Sequence, residues 1–340
     1  MKHKKIIYSA LLFFLFFSLG FASGWVFPRT QKTTTSTLTR ENSLDYKFIR
    51  PVLYLQVPED DSSPELQSLK KTVSAYIKNA ISQNSASDIS VYFRELDTNE
   101  WTGVNTDDKY SPASMLKVVS LIAFLRASEN NPDLLSEKVY LDAPQTENQD
   151  QNQDYYPSVS QAKIGDTYTT AQLLNYMIID SDNNAALALS ALIGSETLNT
   201  VYTDFKIPNG NNNLASDFLS VKMYSRLWRA LYDGTYLSQN LSEQALSLLS
   251  QTTFNNGLVA GVPPGTIVSH KFGERTIKLV SSADSTEQPA NEVRELHDCG
   301  IVYAPNDPYF VCIMTKGNSF AALQKIISDI SGLVWKQATK

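Results

Sequence analysis

Apolar positions begin to recur at helical spacing once the first sixty residues are past. After Ser63-Pro64-Glu65, the residues Leu66, Leu69, Val73, Tyr76, Ile77 and Ile81 predict an amphipathic helix, with Ser63 placed to cap its first turn. Ile89 to Leu96, the turn residues Asp97-Thr98-Asn99-Glu100 and Trp101 to Val104 predict a β-hairpin. From Ser114 to about Leu249 the period is mostly helical, interrupted by Gln145 to Asp154, a polar run that reads as a solvated loop. Strand-like runs return at Thr266 to Lys271, Thr276 to Ser281, Gly300 to Ala304 and Tyr309 to Thr315, before a last amphipathic helix from about Ser319 to Trp335. The first and last segments can therefore complete one antiparallel sheet flanked by helices, while the middle forms an all-helical lobe. This is an α/β (α+β) architecture, and ligand sites favour the cleft between such lobes.

Ahead of this pattern stands a different one. Lysines at 2, 4 and 5 precede Ile6 to Phe27, an uncharged apolar run long enough to span a bilayer of about 30 Å at 1.5 Å per residue. The positive flank predicts a cytoplasmic segment at 1–5, a single-pass signal anchor at 6–27 and an extracytoplasmic body in the cell membrane. Cleavage near Gly20, Ala22 and Ser23 with secretion is the alternative, although Trp25 to Phe27 prolong the apolar run past those small residues. Residues 28–62 are rich in Thr and Ser and read as a tether with a short ordered piece at Phe48 to Val57. The globular domain is expected at 63–340, large enough to bury about three quarters of its unfolded surface without disulfides or metal.

Charge excludes one class of partner. The chain carries 35 acidic against 29 basic side chains, and three of the latter precede the apolar run, so the body is acidic and does not suggest nucleic acid. Cys299 and Cys312 flank a turn at Pro305-Asn306-Asp307-Pro308. Pairing symmetric about that turn sets them diagonally, which predicts buried free thiols rather than a bridge. No His/Cys/acid cluster has metal-ligand spacing. A histidine-based serine triad is also poorly supported, since only His3, His270 and His297 exist and no Gly-x-Ser-x-Gly elbow is present.

The chemistry points instead to Ser114 and Lys117. A hydroxyl becomes a nucleophile when a base within hydrogen-bond reach takes its proton. Positions i and i+3 share a helix face, and a desolvated lysine there has its pKa lowered toward base duty. Ser-x-x-Lys alone is not specific, because Ser68 to Lys71 and Ser160 to Lys163 match it too, the first on a water-facing helix side and the second in a polar loop. Context distinguishes Ser114. Ser181-Asp182-Asn183 follows a helical run, and Lys271-Phe272-Gly273 ends an apolar strand.

These three elements, in this order, resemble the S-x-x-K, S-D-N and K-T-G set of class A β-lactamases and penicillin-binding proteins. The resemblance covers roughly residues 64–337 and includes the text around Tyr110 to Ser114, Tyr176 to Ser181 and Gly261 to Thr266. It implies a serine β-lactamase-like fold and a hydrolase, without a cofactor, acting on a small-molecule β-lactam or a peptidoglycan D-alanyl peptide. By resemblance, Ser114 is acylated, Lys117 accepts its proton or keeps the base network charged, and Ser181 relays a proton to the departing nitrogen. Asn183 holds the Lys117 amine and the substrate amide, Lys271 supplies positive charge for the substrate carboxylate, and Lys271, Phe272 and Gly273 form the substrate-binding strand. The backbone N–H groups of Ser114 and Glu274 form the oxyanion hole. A monomer is expected.

Two departures qualify this. Phe272 stands where the family has Thr or Ser, a hydroxyl that helps bind the substrate carboxylate. The family's Glu-x-x-Leu-Asn stretch, whose glutamate activates the deacylating water, has no counterpart at Ile207 to Asn213. Glu196 to Asn199 is spaced wrongly and falls in helix, and Asp217 is the nearest later acid. Slow hydrolysis of the acyl-enzyme is the expectation. The alternative is a cell-surface binding protein that keeps the fold and has lost turnover.

Overall fold

The computed structural model describes residues 38–40, 46–55, 63–142, 155–208, 216–278, 292–305 and 307–340, with only the backbone at 38–40, 52–55 and 278. The anchor and cytoplasmic segment predicted at 1–27 lie outside these residues, as does the polar run 145–154. Among the described residues no helix is long and apolar enough to cross a membrane.

The predicted first helix, α1 (Pro64–Ser82), starts where Ser63 accepts from the Leu66 N–H, and buries Leu66, Leu69, Val73, Ile77 and Ala80. Its partner α8 (Phe320–Ala338), capped by Ser319, buries Leu323, Ile326, Ile327, Ile330 and Val334. Tyr76 on α1 donates to Asp329 on α8 at 2.6 Å. Both helices cover one face of a five-stranded antiparallel sheet in the order β4-β3-β9-β8-β7. Its strands are β3 (Asp88–Glu95), β4 (Trp101–Val104), β7 (Val268–Lys278), β8 (Glu292–Val302) and β9 (Tyr309–Gly317). Outside this sheet, β1 (Leu38–Arg40) pairs with β2 (Val52–Leu55), and β5 (Lys138–Tyr140) pairs with β6 (Thr167–Thr169).

Between the two ends of the sheet the chain builds the helical lobe, in which the β5–β6 ribbon departs from the predicted pattern. It contains α2 (Lys117–Ser128), α3 (Thr170–Ile179), α4 (Asn183–Ile193), α5 (Ser195–Asp204), α6 (Val221–Tyr232) and α7 (Gln239–Leu249). Helix α2 buries Val118, Val119 and every residue from Leu121 to Leu125. A helix apolar all round belongs in a core, and α2 is wrapped by α3, α4, α5 and α7. Helix α6 closes the lobe onto the second face of the sheet, where Trp228 lies 6.0 Å from the Phe310 ring. Of the ordered piece expected at 48–57, residues 48–55 are described, and Val52–Leu55 form β2. The N–H groups of Lys47, Phe48 and Ile49 donate to the Glu243 carboxylate on α7, and Phe48 and Ile49 are buried.

Two expectations about strands needed correction. The runs predicted at 266–271 and 276–281 meet in one strand, β7, over Val268–Lys278, with 279–281 outside the described residues, and β8 begins at Glu292 rather than Gly300. The apolar pattern breaks because these strands bury charged and polar side chains, among them Lys271, Glu295, His297 and Asp298. The cysteines form a disulfide rather than free thiols, with Cα atoms 4.0 Å apart. Pro308 has no N–H to give a ladder, so pairing closes at Val302↔Tyr309 and brings Cys299 directly opposite Cys312. The turn is centred one residue earlier than the symmetric reading placed it.

Candidate active site

The nucleophile candidate sits where strand β7 meets the first turn of the helical lobe. Residues 113–116 form a 3₁₀ turn that runs straight into α2, and the Lys117 N–H closes it on the Ser114 carbonyl. Ala113, just before Ser114, has φ +47°, a left-handed conformation that is costly for a residue with a Cβ and persists only when its surroundings hold it. Those surroundings are on β7 and β8. His297 Nε2 lies 3.0 Å from the Ser111 carbonyl, and Arg275 donates to Ser111 Oγ at 2.9 Å. A Cβ on Gly273 would stand 2.8 Å from the Pro112 carbonyl, so glycine is what lets β7 approach this turn. Ser114 itself is half-buried.

His297 has a defined tautomer. Its Nδ1 accepts the Thr315 N–H at 3.2 Å, which leaves Nε2 to donate to Ser111. Only the neutral ring fits both partners. Burial pushes its pKa down to about 4, outweighing the hydrogen bond to Ser111.

Lys117 is buried at the start of α2. Its Nζ donates to the Ser181 carbonyl at 2.5 Å and to Asn183 Oδ1 at 2.7 Å, and lies 3.2 Å from Ser181 Oγ. Burial lowers its pKa to about 7, with the charge of Asp182 pulling the other way. An amine that titrates near neutrality, among groups that orient it, is suited to accept and return a proton.

The Ser-Asp-Asn triplet is both cap and site. Ser181 has φ +58° and is fully buried between α3 and α4. Asp182 caps α4 by accepting the Asn184 N–H at 3.0 Å, while its other oxygen accepts the Ala162 N–H at 2.8 Å. That capping aims Asn183, the first residue of α4, at Lys117. Lys271 reaches Ser181 from the opposite side, donating to its Oγ at 2.9 Å and to the Phe272 carbonyl at 3.1 Å. Burial lowers the Lys271 pKa well below its ordinary value, and repulsion from Lys117 adds to this against the attraction of Asp298 and Glu274. Two amines thus share one hydroxyl.

The outer edge of β7 borders this group. The His270 carbonyl is taken by Thr252 Oγ1 and the Phe272 carbonyl by Lys271, so even-numbered residues turn their backbone away from β8. The same alternation puts the Glu274 backbone on that edge. The Phe272 ring is buried and stacked on Phe254, with centroids 4.2 Å apart. Tyr156 meets both rings edge-on and gives its N–H to Glu274 Oε1 at 2.9 Å.

The other sequence candidates fall elsewhere. Ser68, Lys71, Ser160 and Lys163 are exposed, and Glu196 lies exposed on α5. Asp217 pairs with Lys316 at 2.7 Å, and that lysine also lies 2.9 Å from Glu295. Sequence reasoning missed the supports: Arg275 and His297 on Ser111, and the buried His270–Asp298 pair at 2.9 Å behind Lys271. No spacing rule joins strand residues 28 apart, so only the register of β7 with β8 reveals that pair.

Comparison with known proteins agrees with this architecture. The family model described as the Beta-lactamase enzyme family matches residues 72–338, and the chain belongs to that family. A curated relative, Beta-lactamase VEB-1 of Pseudomonas aeruginosa, is 25% identical over 207 residues, covering 50% of this chain and 60% of the relative's length. Among solved structures, PBP-A superposes with a TM-score of 0.61 at 22% identity, covering 82% of this chain and 97% of that one. TLA-1 extended spectrum beta-lactamase gives 0.64 at 20% identity, covering 81% and 100%. At such identities the structural likeness carries the fold.

Proposed function

We propose that the chain is a serine acyl-transfer hydrolase of the class A β-lactamase-like type, working through an acyl-Ser114 intermediate on a β-lactam amide or a D-alanyl cell-wall peptide. The observation that carries this is the Lys117 amine, buried, drawn toward neutrality and held by Ser181 and Asn183 at the head of the helix that Ser114 opens. The names of relatives support the substrate class, since one is a β-lactamase and a PBP-A variant holds penicillin G as an acyl-enzyme.

In the proposed cycle, neutral Lys117 takes the Ser114 proton as the oxygen attacks the carbonyl carbon. The developing oxyanion faces the backbone N–H groups of Ser114 and Glu274. Collapse breaks the carbon–nitrogen bond, the nitrogen receives the Ser181 proton, and Ser181 regains one from the Lys117 ammonium 3.2 Å away. Water then attacks the ester, and its proton returns to Ser114. With Asp217 paired to Lys316, this last step is proposed to be slow. The residues at 6–27 are proposed to anchor a monomeric, extracytoplasmic body in the membrane. A binding protein without turnover would have no use for a desolvated amine between two hydroxyl-bearing segments.

The pH dependence of acylation tests the proposal. Because Lys117 must be neutral to act, the rate should rise with pH through about 7 and level off above it. A rate flat from pH 5 to 9 would remove Lys117 from the base role.

A further inference from the structure

The β7 edge raises a question of substrate class that rests on the acyl-transfer reading above. The ring of Phe272 lies with its centroid 4.4 Å from Lys271 Nζ, so the face of that amine not engaged by Ser181 and the Phe272 carbonyl meets π-electrons. Phe254 stacks behind this ring, and Tyr156 stands edge-on to both. Tyr156 is fixed at two points, by its N–H on Glu274 and by its hydroxyl on Gln324 of α8 at 2.6 Å. Three aromatic rings and the Glu274 carboxylate therefore border the strand edge beside Ser181.

A carboxylate brought to such an edge loses water beside buried aromatic rings that offer it no hydrogen bond in return. No hydroxyl at position 272 is there to donate to it, and Glu274 repels it. Burial and the nearness of Lys117 also draw Lys271 away from its charged form. An uncharged group meets none of these costs and gains apolar contact with the rings.

We infer that this site selects acyl donors that are neutral beside the scissile bond, esters or amides with the adjoining carboxyl group blocked, and that Phe272 is the residue that makes the selection.

The test uses the full-length chain with penicillin G and with its methyl ester, each followed by intact mass and by mapping of the adduct to Ser114. Wild type should acylate at least about tenfold faster with the methyl ester than with the free acid. Phe272→Thr should narrow or reverse that preference, whereas Phe272→Leu, apolar but without a hydroxyl, should keep it. The leucine variant separates a change of selectivity from a general loss of packing. Faster acylation of wild type by the free acid would overturn the inference while leaving acyl transfer intact, and so would an unchanged ratio in Phe272→Thr. If neither compound, nor an uncharged p-nitrophenyl ester, modifies Ser114 above the Ser114→Ala background, acyl transfer itself falls and the selectivity with it.

Discussion

The two walls of the candidate site, one helical and one of strand, differ in what they share with the resembled enzymes. On the helical side, Ser114, Lys117, Ser181 and Asn183 come together through two helix starts. Hydrogen bonds of 2.5–3.2 Å link Lys117 to the Ser-Asp-Asn segment. On the strand side, Lys271 and Gly273 stand where the pattern requires, but Phe272 replaces a hydroxyl with a ring stacked on Phe254. On the proposed reading, the chemistry of attack sits on the first wall and recognition on the second. A chain can therefore keep the means of acylation while changing what it acylates, because the proton path never passes through residue 272.

Lys117→Ala breaks this contrast most severely. Removing the proposed base should lower Ser114 acylation by about 10²–10⁴-fold, read from intact-mass time courses. The fold should survive with a modest loss of stability, since the buried Ser181 carbonyl loses a donor while the cost of desolvating the amine disappears. Gly273→Val strikes the contact between the walls. Its side chain would meet the Pro112 carbonyl and displace the Ser114 turn. Acylation should fall by about 10²-fold, the scale of a misplacement near 1 Å, and the melting temperature should drop as well. Loss of rate without loss of stability would show that the turn can yield.

Smaller effects sharpen the distinction by touching stability alone. Reducing Cys299–Cys312, which are 13 residues apart, should cost about 3 kcal/mol in denaturant unfolding. The acylation rate of the protein that stays folded should change little. His297 supplies an acid dependence. Its pKa is about 4 when folded against 6.5 ordinarily, so between these values the unfolded chain binds the extra proton. Stability should fall on acidification from about pH 6.5 to 4, by about 3 kcal/mol at most. In His297→Gln this contribution should vanish from pH-dependent melting. An unchanged acid profile in that variant would show that other groups set the dependence.

How far the sequence speaks depends on which residues carry the signal. Helices α1 and α8 were legible because one face of each is apolar at regular spacing, and Ser114, Lys117, Ser181, Asn183 and Lys271 because triplets in a fixed order mark them. The extent of β7 and β8 was hidden, since buried Lys271, Glu295, His297 and Asp298 imitate the polarity of loops. The disulfide was hidden by a one-residue difference in where a turn is centred. The hold of Arg275 and His297 on Ser111 crosses 164 and 186 residues, distances at which only the sheet register brings groups together.

The most direct test of the account is a time course of the full-length chain with penicillin G and its methyl ester, read by intact mass and peptide mapping. A single adduct on Ser114, absent in Ser114→Ala, strongly slowed in Lys117→Ala and persisting after excess compound is removed, is the predicted result. No adduct from either compound, or one that forms equally well in Ser114→Ala, would contradict it.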